Sequence, residues 1–189
     1  MSKPSDNEIA KHEFTKLQAH LYQSVHNSLT YLDALKHSLG EYDHKHHLHH
    51  STSATSFFSD GLDHAKDAIK ELKRAADHAH TNVGVADVKR AMEQAFNALS
   101  DLHKVANAYD TEHSTSNKHN GKNPTTSETV KWLVSTTRDA NFTGFAPLQK
   151  QIIEVQMTIG DIEKPSIKTR AKEAVHNMTS KLEKIRAEL

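Results

Sequence analysis

The chain has 189 residues, 24 Lys and Arg against 24 Asp and Glu, a hydrophobic share of 35% and no cysteine. One domain with a sizeable core fits that length, but a mean hydropathy of −0.72 means the core must come from patterning rather than from apolar abundance. Balanced charge disfavours nucleic acid as a partner, and the missing cysteines exclude disulfides, thiolate metal sites and thiol catalysis.

Residues 1–5 read as a frayed tail, with Ser5 or Asp6 capping a first helix that runs to about Leu39. Its apolar stripe is Phe14, Leu17, Leu21, Val25, Leu29, Leu32, Leu35 and Leu39, and Gly40 is placed to stop it. Residues 41–56, His-rich and then Ser/Thr-rich, carry no apolar period and read as an exposed joint. Ser59 or Asp60 caps a second helix running to about His80, and a third runs from about Val85 to Tyr109. Phe58, Leu62, Ala65, Ile69, Leu72, Ala76 and Ala79 repeat at alternating steps of four and three. Val85, Val88, Met92, Ala95, Leu99, Leu102, Ala106 and Tyr109 do the same. Such a repeat on both sides of a short turn predicts an antiparallel helical pair, with alanines allowing close approach.

Residues 110–127 read as a second polar linker around Pro124. Thr126 or Ser127 caps a short helix, about 128–139, holding Val130, Trp132 and Leu133. Pro147 then fits the first turn of a helix with Leu148, Ile152, Val155, Ile159 and Ile162 on its stripe, bracketed by Gly160 and Pro165. A last helix carries Ile167, Ala171, Ala174, Met178, Leu182, Ile185 and Leu189. The fold expected is a single-domain, all-α, elongated bundle of five main helices plus a short one, with coiled-coil-like heptad seams.

Sixteen histidines are the compositional outlier, and they make the chain strongly positive as pH falls through about 6. Asp43-His44-Lys45-His46-His47-Leu48-His49-His50 offers imidazoles at metal-ligand spacing. His44, His46, His47, His49 and His50 are therefore the candidate ligands for Zn, Ni or Cu, with Glu41 and Asp43 as added oxygen donors. An exposed linker with incidental affinity and a pH-responsive contact are the competing readings. Glu41/His44 and Glu173/His176 match the Glu-x-x-His spacing of di-iron bundles, but the seams of the second and third helices offer no further carboxylate.

Asp60/His64, Asp77/His80 and Asp110/His113 could each orient a histidine, yet no nucleophile stands out beside them, and surface pairing is the simpler reading. His12, His20, His26, His37 and His103 sit beside the stripes as boundary residues. Phosphate-loop, dinucleotide, nucleophile-elbow and zinc-protease motifs are missing. Charges alternate in sign along the C-terminal segment, as on a solvated or assembly face. Trp132, Phe142 and Phe145 cluster across a helix break around Gly144. They suit a cap closing the bundle end, the favoured reading, or a partner-docking hot spot.

No apolar leader opens the sequence and no run reaches membrane-spanning length, which leads to a cytoplasmic or virion location with no membrane partner. The function these features suggest is a non-enzymatic structural or assembly protein. It would pack helices against itself, as a homo-oligomer, or against protein partners, and a virion or phage component fits the style. The alternative is a His-rich metal-binding or pH-responsive helical protein.

Overall fold

The structure, a computed structural model, describes residues 6–80, 82–114 and 125–163. Among them lie helices α1 (Asp6–Lys45), α2 (Ala54–Phe57), α3 (Ser59–Asp77), α4 (Asn82–Ser114), α5 (Val130–Asn141) and α6 (Ala146–Glu163), with 3₁₀ turns at His50–Thr52 and Thr126–Glu128. There is no strand among the described residues, and the helices pack into one all-α bundle as expected. The predicted helix after Pro165, with Glu173 and His176, lies outside the described residues.

The helices form four columns. Helix α1 packs on α3, α5 and α6, and α4 packs on the same three. So α1 and α4 occupy one diagonal, and α3 faces a fourth column in which α5 and α6 follow end to end. Polar contacts fix the directions. Gln18 Nε2 of α1 donates to the Ala76 carbonyl near the end of α3 at 3.4 Å. The Tyr109 hydroxyl of α4 donates to the Thr52 carbonyl before α2 at 2.7 Å. Gln151 Nε2 of α6 donates to Glu13 Oε2 near the start of α1 at 2.9 Å. Successive columns therefore run up, down, up and down, and α1, roughly 60 Å long, spans the bundle.

The core follows the sequence period closely. Of the expected α3 and α4 seam positions, only Leu62 is not fully buried. Their alanines let the two backbones close in: a Cβ added at Gly61 of α3 would stand 3.2 Å from Leu102 Cδ2 of α4. The α1 stripe is buried from Leu17 to Leu39 apart from Leu29, which is partly covered. It also takes in Tyr31, a residue off that stripe. Burial pushes the Tyr31 phenol up to about 12, and its hydroxyl meets no protein hydrogen-bond partner.

Helix ends are where the expectations fail. Gly40 does not stop α1, which continues five residues further to Lys45. The stop is His47, left-handed at φ 54°. The Leu48 amide donates to the Asp43 carbonyl at 2.9 Å and the His47 amide to the His44 carbonyl at 3.3 Å. This is a Schellman closure with a histidine where glycine usually sits. Gly160 likewise lies inside α6. A glycine is tolerated within a helix when neighbouring turns and packing hold it, so composition alone marked a stop where none exists.

The caps differ too. Ser53, not Ser59 or Asp60, accepts the Ser56 amide to open α2, and α3 follows after a kink at Phe58. Thr129, not Thr126 or Ser127, accepts the Trp132 amide to open α5. Helix α4 extends past Tyr109 to Ser114. The joints expected at 41–56 and 110–127 are therefore partly helical where they are described.

Candidate functional site

Two regions gather the residues that carry chemistry: the end of the bundle where α1 stops, and the side of α6 that faces away from α1.

At the first, Asp43 is the organising residue. It is buried, and its carboxylate accepts the Ser53 hydroxyl at 2.7 Å, the Ala54 amide at 2.6 Å and the Thr55 amide at 2.9 Å. An aspartate on the last turns of one helix thus satisfies the open amides at the start of the next. Burial pushes its carboxyl up, but the donors from Thr55, Ser53 and Ala54 outweigh that and hold it below the usual carboxylate range. Asp110 repeats the device near the end of α4, accepting the Val130 and Lys131 amides of α5 at 2.9 and 2.8 Å. Asp43 acts as a cap for the start of α2. His113 Nδ1 lies 2.9 Å from the Tyr109 carbonyl.

Around these caps lies an aromatic patch. The His46 ring lies 4.4 Å from Tyr42 and the His113 ring stacks 4.1 Å from Tyr109, with Phe57 edge-on to Tyr109 at 5.3 Å. Burial raises the phenols of Tyr42 and Tyr109.

The candidate ligands His44, His46, His47, His49 and His50 are all exposed. His44 is on the last turn of α1, His46 on Tyr42, His47 in the left-handed stop, and His49 and His50 at the 3₁₀ turn. Three of them are not brought together: among the described residues no group of three or more His, Asp or Glu is placed to hold a metal ion. Glu41 faces His37 instead, at 3.4 Å on the exposed side of α1.

The expected partner cluster separates. Phe142 stacks 6.1 Å from Tyr31 and packs edge-on to Phe145 at 5.2 Å, and Phe145 is buried. These two close the junction of α5 and α6 against α1. Trp132 stands apart on the outer face of α5, 41% exposed. His103, expected at a boundary, lies 2.9 Å from the Ser135 hydroxyl of α5. Ser135 gives its proton to the Lys131 carbonyl, so it receives one from His103. Burial, and then the charges of Arg138 and Lys131, hold His103 below its ordinary value.

The second region is the flank between α4 and α6. Helix α6 turns Leu148, Ile152 and Val155 into the core and ties Gln151 to Glu13 on α1. Its opposite edge is left uncovered by the described residues. Ile153 is 50% exposed and Met157 65%, and Phe96 on α4 is 54% exposed. A groove of about 610 Å³, lined by Met92, Phe96, Gly144, Phe145 and Gln149, opens where α6 begins. None of the sequence criteria singled out Phe96, Ile153 or Met157. The available signal was the run Gln151-Ile152-Ile153-Glu154-Val155: adjacent isoleucines point about 100° apart, so one narrow stripe cannot bury both.

No protein-family model, curated protein or solved structure matches the chain. Among the described residues, no helix is long and apolar enough to cross a membrane.

Proposed function

We propose that this is a non-enzymatic structural or assembly protein that works by packing helices against a second copy of itself or against a helical partner. One observation carries the reading: Ile153 and Met157, one turn apart on α6, and Phe96 in the groove beside its first turns are the three most exposed large apolar side chains among the described residues. Contiguous apolar exposure of that kind marks an interaction surface, whereas isolated apolar residues do not. The chain's balanced charge removes net repulsion between copies at neutral pH.

Light scattering on the untagged chain across a range of concentrations tests this. A mass that rises from one copy to two or more is expected; a compact monomer at every concentration would remove self-association from the reading. Acid should oppose association. A chain with sixteen histidines and no net charge at neutral pH gains positive charge on acidification, so the mass should fall at pH 5 and recover at pH 7.5.

A second reading, metal binding, is supported by a different observation. His37 and Glu41 lie 3.4 Å apart on the outer side of α1, with His44 along the same open groove; two such groups can hold an exposed metal ion weakly, short of the three-residue set that is missing among the described residues. Calorimetric titration of untagged protein with Zn²⁺, Ni²⁺ or Cu²⁺ tests it, with loss of binding expected in His37→Ala and His44→Ala; unchanged binding in both would place the metal elsewhere.

A further inference from the structure

We infer that the occupant of the α6 flank is a second copy of the same flank, with the two α6 helices antiparallel across a two-fold axis that passes at Ile153. The inference rests on the assembly reading and names the partner of that surface.

The outer edge of α6 is self-complementary in register. Ala146, Gln149, Ile153, Met157 and Gly160 follow at steps of three, four, four and three, the i ± 4 and i ± 7 positions that any helix face sets about a central residue, and what is particular to α6 is the side chains that fill them. In an isologous contact, residue i meets j while j meets i. Turning one α6 over about Ile153 sets Ile153 against its own copy, Gln149 against Met157, and Ala146 against Gly160. The first four side chains are exposed, and a Cβ added at Gly160 would meet nothing within 4 Å. The small residues therefore fall at the two ends of the contact, where antiparallel helices can close in.

The same register fits a knob to a hole. Gln149 lines the groove that Phe96, Met92 and Phe145 form at the start of α6. The residue placed over it by the two-fold is Met157, the most exposed large apolar side chain among the described residues. Methionine is unbranched and flexible and fills irregular apolar hollows well. Each copy would seat one Met157 and receive one, burying Phe96 twice over. Lys150 and Glu154, ion-paired at 3.8 Å on the same face, lie on either side of Ile153. An antiparallel copy brings each toward the opposite charge of its partner.

The full chain has no cysteine, so single cysteines report the contact cleanly. The I153C variant of the full chain, oxidised at micromolar concentration, is expected to form a disulfide-linked dimer. A cysteine at the exposed Lys70 of α3 should stay monomeric. Met157→Asp should weaken the dimer about 30-fold or more with helicity by circular dichroism unchanged.

A dimer by mass that I153C does not cross-link and Met157→Asp does not weaken would overturn this arrangement and leave the assembly reading standing. A monomer at every concentration would overturn both. In that monomer, a slow-reacting I153C thiol would assign the cover to the chain's own residues 164–189, and a fast-reacting one would leave the flank bare.

Discussion

Helix α4 has two apolar sides with opposite fates. Toward α3 it meets a partner across alanines and Gly61, and all eight expected seam residues from Val85 to Tyr109 are buried. Toward α6 it presents Phe96 to a groove, because α6 turns its own seam to α1 and is tied there through Gln151 and Glu13. Small side chains closed one side; on the other, a bulky ring next to a helix committed elsewhere left a hollow. The contrast teaches that sealing depends on which partner a helix chooses, beyond how apolar its face is.

The deepest cut into the contrast is on the closed side. Ile69→Ala in α3, at a fully buried position, should cost about 3–4 kcal/mol by lost transfer energy and the cavity left behind. Urea denaturation followed by circular dichroism reads it. The cap between α1 and α2 comes next. Asp43→Ala leaves the Ala54 and Thr55 amides and the Ser53 hydroxyl without their acceptor, which should cost about 2–3 kcal/mol.

The same carboxylate sets a pH dependence. Its folded pKa is lowered, so its contribution is fully present above the unfolded carboxylate range and is lost as pH falls through the folded value. Acid titration of wild type and Asp43→Asn should therefore converge in stability at low pH. His103 acts in the same direction one range higher. Its lowered pKa means the unfolded chain takes up the proton first, so stability drops as pH falls from about 6.5.

Smaller effects come from the backbone. His47→Gly should raise stability by about 1 kcal/mol, because the left-handed φ of 54° costs a histidine and not a glycine. Gly160→Ala should gain roughly 0.5–1 kcal/mol in folding, since the added methyl meets open space. Gly61→Ala should gain less, because Leu102 must give way at 3.2 Å. Thermal melts of the pair contrast the closed α3–α4 seam with the open edge of α6. The smallest expected change is in Ile153→Ala: within about 0.5 kcal/mol for folding in dilute protein, with its loss appearing in association.

The seams of α1, α3, α4 and α6, and the all-α bundle they build, were legible in the sequence because helical period is local. Burying an apolar stripe needs only residues three and four apart, and those sit side by side in the chain. The helix ends and the candidate sites were decided by contacts the chain order hides. Asp43 reaches the Ala54 amide and Asp110 the Val130 amide, 11 and 20 residues away. Phe142 was drawn onto Tyr31, which took it out of the partner cluster. Gly40 and Gly160 looked like stops but lie within helices. The open flank of α6 came from a tertiary choice, α1 over α4, made by whichever face could bury Leu148, Ile152 and Val155 together. Periodicity specifies that a helix has a core face; only the packed bundle specifies which neighbour receives it and which edge the described residues leave uncovered.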